Sequence, residues 1–317
     1  MNKTLRRIGA TLLLIFIVMN VIAFFHAYKF THFSASTGVK KTADPKQLST
    51  GGKIKTLFFG IDHPRPVDDT LPSHPYETIR IQSNKLLECW SIRTDSVARG
   101  TVIIFHGYGG KKSSMLNDAD ELLRMGYNTL LVDFMGSGGS EGDATTIGVK
   151  ESQEVKDCYQ YLGAKGERNI ILFGTSMGAA AILKSMHEDH LRPAAIIIEC
   201  PFGTMYQTVC ARFRLMHVPA FPMAGMLMFW GGTQNGFWAF SHNPTEYAKS
   251  VDCPALLLWG EQDDKVSRAE TDEIFANMKG PKSLATYPHS GHENYLHKDK
   301  EKWLKDVGGF LDSLHVH

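Results

Sequence analysis

Cysteine is scarce: there are five in 317 residues, at positions 89, 158, 200, 210 and 253, and no C-x-x-C pair. That excludes a disulfide framework and a structural zinc site built from four thiolates. No charge of one sign dominates either. Lys and Arg number 34 against 33 Asp and Glu, a net charge of +1, so no long-range field draws nucleic acid or another polyanion, and no nucleic-acid partner is expected. With 29 Gly, 13 Pro, 43% hydrophobic and 21% charged residues, the chain is neither collagen-like nor disordered. At ~100 to 200 residues per domain, its length suits one large domain or two smaller ones.

What is present first is a long apolar run. Ile8 to Phe25 spans 18 residues without a charge, interrupted by Thr11 and Asn20. As a helix rising ~1.5 Å per residue it would cover about 27 Å, near the ~30 Å hydrocarbon core of a bilayer and longer than a signal-peptide core of ~7 to 15 residues. The run is read as an uncleaved, single-pass anchor over residues 1–33, which makes the lipid bilayer a partner. The alternative is a secretory signal cleaved near Ser34-Ala35-Ser36, with His26 to Phe33 as an unusually long tail. His26, Tyr28 and Lys29 suit the membrane interface. Lys3, Arg6 and Arg7 before the run are balanced by Lys29, Lys40 and Lys41 after it, so orientation rests on the N-in default of a first helix. That default puts the remaining domain outside the cytoplasm.

Residues 34–52 are polar and small-residue rich and read as a linker, with a folded domain over 53–317. TIRIQS (78–83) and LLECWSI (86–92) flank Asn84-Lys85 as a β-hairpin. The runs TVIIF (101–105), NTLLVDF (128–134), NIILF (169–173), AAIIIE (194–199) and ALLLW (255–259) lack alternation, as strands covered on both faces do. Helical stretches between them specify a mostly parallel sheet flanked by helices, with function at the carboxyl ends of the strands. Between the last two runs lies an insertion, 201–252, rich in Met and aromatics. It reads either as a helical pair packing on the sheet or as a lid lining an apolar site. Arg214, His217, two prolines and Gly225 argue against a second membrane span.

The sharpest local signal is Gly174-Thr175-Ser176-Met177-Gly178, placed after the NIILF strand and before the helical stretch AAAILKSMHEDH. Small residues let the chain turn sharply there, so the Ser176 hydroxyl stands clear with a helix N-terminus behind it. A serine hydroxyl needs a general base and a carboxylate to orient that base. Downstream strand-end loops carry Gly260-Glu261-Gln262-Asp263-Asp264-Lys265-Val266 and Ser290-Gly291-His292, so an acid and a histidine follow the serine in the chain order Ser, Asp, His.

With those residues in place, the chain resembles the α/β-hydrolase superfamily, in its esterase, lipase and serine-aminopeptidase-like branches, over about residues 76–313. The resemblance implies an α/β-hydrolase fold in which Ser176 is the nucleophile, His292 the base and Asp263 its acid. It implies an oxyanion hole from the backbone N–H groups of Tyr108, in His106-Gly107-Tyr108-Gly109-Gly110, and Met177. It also matches Asp133-Phe134-Met135-Gly136-Ser137-Gly138-Gly139-Ser140 to the superfamily's D-x-x-G-x-G-x-S turn, with Met135 where Arg is commoner.

Other residues compete for these roles. Asp264 is adjacent to Asp263, although the superfamily's spacing, three residues after the Gly that ends the penultimate strand, favours Asp263; and Glu199 ends a strand where it would orient the base in another arrangement. His106 is expected to fix its turn rather than transfer protons, and His289 and His297 to be loop histidines. The pairs His187 with His190 and His315 with His317 lack a clustered carboxylate or Cys, so no metal site is expected. Cys200, Cys210 and Cys253 read as small buried hydrophobes, with a Cys200–Cys210 disulfide as an alternative. The resulting expectation is a membrane-anchored serine hydrolase that cleaves a small-molecule carboxylic ester or related acyl bond through an acyl-enzyme, without a cofactor. The alternatives are a tethered peptidase, with Glu246 holding the substrate amine, and a non-catalytic binding protein of the same fold.

Overall fold

The computed structural model describes residues 3–35, 39–43 and 47–314. The elements in chain order begin with helices α1 (Lys3–Thr31) and α2 (Thr50–Phe59), followed by strands β1 (Tyr76–Gln82), β2 (Leu86–Ile92) and β3 (Thr101–Phe105). Next come α3 (Leu116–Arg124), β4 (Asn128–Val132), α4 (Glu151–Ala164), β5 (Ile170–Thr175), α5 (Met177–Glu188) and β6 (Ala195–Glu199). The insertion holds α6 (Met205–Met216), α7 (Met223–Asn235) and the short α8 (Pro244–Tyr247). The chain closes with β7 (Ala255–Gly260), α9 (Arg268–Asn277), β8 (Lys282–Tyr287), α10 (Tyr295–Lys298) and α11 (Lys300–Ser313). They form two compact units, Met1–Pro64 with Met205–His242, and Arg65–Thr204 with Asn243–His317.

The second unit is built on an eight-stranded sheet in the order β1-β2-β4-β3-β5-β6-β7-β8. β1 and β2 pair antiparallel, β2 meets β4 antiparallel, and every pairing from β4 onward is parallel. The unalternating runs are buried along their length in β3, β6 and β7, because crossover helices cover both faces of a parallel sheet. At the edge, β1 reverses this and exposes most of its residues. One cluster of the core joins Trp90, Tyr127, Phe173, Tyr287, Tyr295 and Trp303. Full burial of a large apolar side chain stabilises by roughly 1.5 to 3 kcal/mol.

The first unit pairs the N-terminal helix with the inserted one. Ala23, Ala27 and Thr31 are the buried residues of α1, spaced by four and hence on one face. α7 buries Ala224, Met228, Gly231, Gly232 and Asn235. A Cβ added at Gly231 would stand 3.9 Å from that of Ala27, so the backbones approach closely through small residues, as membrane helices do. Polar side chains tie the pair together. Trp230 Nε1 donates to Asn20 Oδ1 at 3.1 Å, Gln234 Nε2 to the Phe24 carbonyl at 2.9 Å, and Asn235 Nδ2 to Thr31 Oγ1 at 3.2 Å. The insertion holds a helical pair, α6 and α7, whose partner within the unit is α1.

The segment after α1 is held by hydrogen bonds. Ser34 N donates to the His63 carbonyl and Thr42 N to that of Asp62, each at 2.8 Å, and Lys29 pairs with Asp62 at 2.8 Å. Sequence periodicity did not mark α2. It is short, capped by Ser49 and ended by Gly60 at φ 77°, and it leaves Phe58 and Phe59 exposed.

Candidate active site

Ser176 occupies a backbone conformation that side chains rarely adopt, φ 53° and ψ −106°. Two glycines make that turn feasible. A Cβ on Gly174 would lie 2.7 Å from the Gly178 carbonyl carbon and from Ile182 Cδ1. One on Gly178 would lie 2.4 Å from the Phe105 carbonyl oxygen. Both distances are well inside van der Waals contact, so β5, the turn and α5 pack this tightly only with glycine at each place. The strained serine is pinned by its own N–H, which donates to the Glu199 carbonyl at 2.8 Å, and by its carbonyl, which accepts from Ala180 N at 3.0 Å. Strain held in this way persists because the surroundings over-determine it.

The three distant residues meet. Ser176 Oγ lies 2.9 Å from His292 Nε2, and His292 Nδ1 lies 2.8 Å from Asp263 Oδ2. The Asp263 side chain is fully buried, while that of His292 keeps 16% exposure. Asp263 is aimed by its other oxygen, which accepts from Lys265 N and Val266 N, each at 2.8 Å. The contact to His292 is therefore made by Asp263, the acid that family spacing favoured over Asp264.

The His106–Gly110 loop runs beside the serine. A Cβ at Gly107 would sit 3.6 Å from that of Ser176, and Gly110 N closes the turn onto the Gly107 carbonyl at 3.0 Å. Tyr108 is carried on this turn, and Met177 opens α5 directly after the serine. His106 Nδ1 bonds the Gly107 carbonyl at 2.8 Å, while Nε2 accepts from Phe134 N at 3.2 Å. Burial brings the pKa of His106 down to about 4. The ring is thus neutral near pH 7 and joins two loops.

Behind the turn sits a buried pair of carboxyl groups. Glu199 accepts from Trp303 Nε1 at 3.0 Å and from Thr175 Oγ1 at 3.1 Å. Desolvation, with the Asp118 charge adding to it, raises its pKa to about 8. Asp118, whose two oxygens accept from Asn294 Nδ2 at 3.1 and 2.9 Å, is raised by burial to about 7. Glu199 therefore braces the sheet and the C-terminal helix, and His292 takes its partner elsewhere.

Sequence reading missed the position of Cys200. Its thiol lies with ligand-type atoms of Asp263 and His292 all within 4.8 Å of one another. Burial, reinforced by the Asp263 and Glu199 charges, pushes this thiol well above its usual range. Its place directly after Glu199, at the end of the strand beside β5, was the available clue. All five cysteines are free thiols, so the alternative Cys200–Cys210 bridge is not formed.

A second triple of candidate ligands, Asp68, Glu88 and Asp133, also lies within that 4.8 Å limit, but an ammonium fills it. Lys112 Nζ contacts Asp68, reaches Glu88 at 3.2 Å and Asp133 at 2.5 Å, and lies 4.2 Å from the Trp90 ring centre. Burial opposes its charge, but the Asp133 and Asp68 carboxylates outweigh burial and raise its pKa. The D-x-x-G-x-G-x-S turn wraps this cluster: Gly139 N donates to Asp133 Oδ2 at 2.9 Å and Ser140 Oγ to the Asp133 carbonyl at 2.7 Å. At Met135, the backbone N–H donates to Glu154 at 3.0 Å.

The remaining candidates fall elsewhere. His187 bonds Ser250 Oγ at 2.9 Å, His297 meets Asn117, and His289 is exposed. Glu246 is exposed and pairs with Lys249 at 2.8 Å. The His315–His317 pair lies outside the described residues.

The family model described as serine aminopeptidase, S33 matches residues 96–234. An uncharacterized protein of Bacillus subtilis, YqkD, is 26% identical over 68% of this chain and 72% of its own. The lysophosphatidylserine lipase ABHD12 of Danio rerio is 22% identical over 72% of this chain and 62% of its own. Among solved structures, the Pyrococcus furiosus esterase Pf2001 superposes with a TM-score of 0.64 at 24% identity, covering 79% of this chain and 98% of that one. The α/β hydrolase GrgF from Penicillium gives 0.60 at 20% identity, over 77% of this chain and 100% of its own. The chain has the α/β-hydrolase fold.

Proposed function

We propose that this α/β-hydrolase-fold protein is a membrane-anchored serine hydrolase that cleaves a carboxylic ester, or a related acyl bond, of a hydrophobic substrate. One observation carries the reading: the unbroken relay from Ser176 Oγ through His292 to Asp263, at 2.9 and 2.8 Å. In this reading Ser176 attacks the acyl carbonyl while His292 Nε2 takes its proton. Asp263 stays ionised and holds the ring with Nδ1–H toward itself. The backbone N–H groups of Tyr108 and Met177 stabilise the oxyanion, where one donor is worth about 3 to 4 kcal/mol of barrier. His292 then returns the proton to the leaving group and activates water against the acyl-enzyme.

Packing supports a retained anchor over a cleaved signal. α1 is apolar and long enough to cross a bilayer, yet its C-terminal half buries Ala23, Ala27 and Thr31 and accepts hydrogen bonds from α7. Removing it would leave Trp230, Gln234 and Asn235 without these partners, at a cost that a disposable leader does not carry. The lipid reading follows from that anchor, together with the lysophospholipid-directed name of the zebrafish relative. The match to the serine aminopeptidase model favours a second reading, a tethered peptidase. Its expected amine-binding carboxylate, Glu246, is occupied by Lys249, which weighs against it.

The test uses detergent-solubilised full-length protein. A fluorophosphonate probe should label it at Ser176, and labelling should vanish in Ser176→Ala. Turnover of p-nitrophenyl acyl esters without turnover of aminoacyl anilides supports the esterase, and the reverse pattern the peptidase. Folded protein that neither labels nor turns over either substrate overturns both.

A further inference from the structure

The insertion contains an unusual stretch. From Leu215 to His242 there is no Asp, Glu, Lys or Arg, while Met, Phe and Trp recur. A helical pair of this composition in water normally hides its aromatic side chains. Here Phe221 is 83% exposed, Phe229 44% and Trp238 60%. Solvated exposure of three large rings within one short segment is costly, so the segment requires an apolar covering.

The contacts with α1 say what that covering is. Partners on the two helices rise together, Asn20 with Trp230, Phe24 with Gln234 and Thr31 with Asn235. α7 therefore runs parallel to α1, and its first turns point toward the N-terminal part of α1. Asn20 lies five residues inside Phe25, the end of the apolar run, which is about 7 to 8 Å along a helix at 1.5 Å per residue. Trp230 thus contacts α1 inside the apolar run, and Met223 to Phe229 start from that depth. Side chains of α1 before Met19 are exposed, so the hairpin stops short of crossing.

Charge fits the same placement. The Arg212 guanidinium lies over the Phe30 ring at 4.4 Å, level with the end of α1, where lipid headgroups begin. Arg214 and His217 are exposed, and an arginine of that length snorkels toward headgroups. Phe58 and Phe59, 56% and 68% exposed, end α2 at the same level, since a Cβ on Gly60 would meet Lys29 Cδ at 3.1 Å.

We propose that α6 and α7 form a re-entrant hairpin seated in the same bilayer leaflet as the C-terminal half of α1. Its tip, around Phe221, and the outer face of α7, at Phe229, contact lipid acyl chains. The inference rests on the reading of α1 as a membrane anchor, and it extends that reading to a second element.

The experiment uses the full chain in phosphatidylcholine vesicles. Single nitroxide labels are placed through Phe221→Cys or Phe229→Cys in a Cys210→Ser background. Phe16→Cys on α1 serves as the reference for the span and Val97→Cys, at a residue 95% exposed, as the reference for water. Collision with oxygen is compared with collision with a water-soluble nickel chelate. Labels at 221 and 229 should give an oxygen-to-nickel ratio matching that at 16 and well above that at 97. A ratio at 221 and 229 matching that at 97, while 16 remains lipid-like, overturns the hairpin and leaves the anchor standing. A water-like ratio at 16 overturns the anchor reading and the hairpin with it.

Discussion

The backbone N–H of Ser176 donates to the carbonyl of Glu199 at 2.8 Å, so the strained turn at Ser176 is fastened to the residue whose buried carboxyl group has the pKa raised to about 8. The position of the hydroxyl and the protonation of the strand end behind it are thereby linked. A carboxyl group whose folded pKa is raised contributes stability that is complete below its unfolded value. That contribution is lost as pH rises through the folded value. For Glu199 the window runs from about 4.5 to about 8. Thermal midpoints should fall between pH 6 and pH 9, and Glu199→Gln, which keeps the shape without the ionisation, should flatten that fall. Differential scanning fluorimetry across the range checks it; an unchanged slope in the variant assigns the fall to another group.

Loss of any member of the Ser176–His292–Asp263 relay should lower kcat for a p-nitrophenyl ester by roughly 10³-fold or more, with Asp263→Asn the informative case. The amide keeps the shape but favours the wrong imidazole tautomer, so labelling by fluorophosphonate should slow rather than disappear. The double variant Ser176→Ala with His292→Ala should be no worse than either single one, because the residues act as a unit. Steady-state rates and probe kinetics decide both points.

Lys112→Met should destabilise the folded protein by roughly 3 to 5 kcal/mol, because it strands Asp133 and its neighbours without their cation. Lys112 is wholly buried, as is Asp133. A lower urea midpoint, or loss of folded yield, is expected. Lys112→Arg should not restore the wild-type midpoint, since a planar fork does not fit a site built around a point charge.

Ala27→Leu should disturb the α1–α7 seam. Ala27 faces Gly231 at close range, and overpacking such a contact costs ~1 to 3 kcal/mol. Leu13→Val, on an exposed part of α1, should have no effect. Thermal midpoints of the two variants in detergent test the difference.

A reporter fused after the last residue should be active only outside the cytoplasm. Activity confined to the cytoplasm reverses the orientation taken from the N-in default.

The sheet was legible because a parallel strand, buried on both faces, has to be written as an unbroken apolar run. TVIIF became β3 over the same five residues, and ALLLW became β7 with one glycine added. The turn at Ser176 was equally visible, since sterics permit only Gly at positions 174 and 178. Less was legible where a contact joins distant stretches without a local pattern. Nothing around Asn20 names Trp230 as its partner, and α2 is too short to show a period. No local pattern marks Lys112, although its N–H and Nζ both bond Asp133, 21 residues away.

The bond between Trp230 and Asn20 spans 210 residues of chain. At ~5 to 20 residues per second of synthesis, α1 emerges from the ribosome some ten to forty seconds before its helical mate. It therefore waits as a lone hydrophobic rod while the sheet strands β1 to β6 are made. Assembly of the first unit is of necessity a late step, and a chain halted before Met223 would hold the Ser176 turn with α1 still lacking its helical mate.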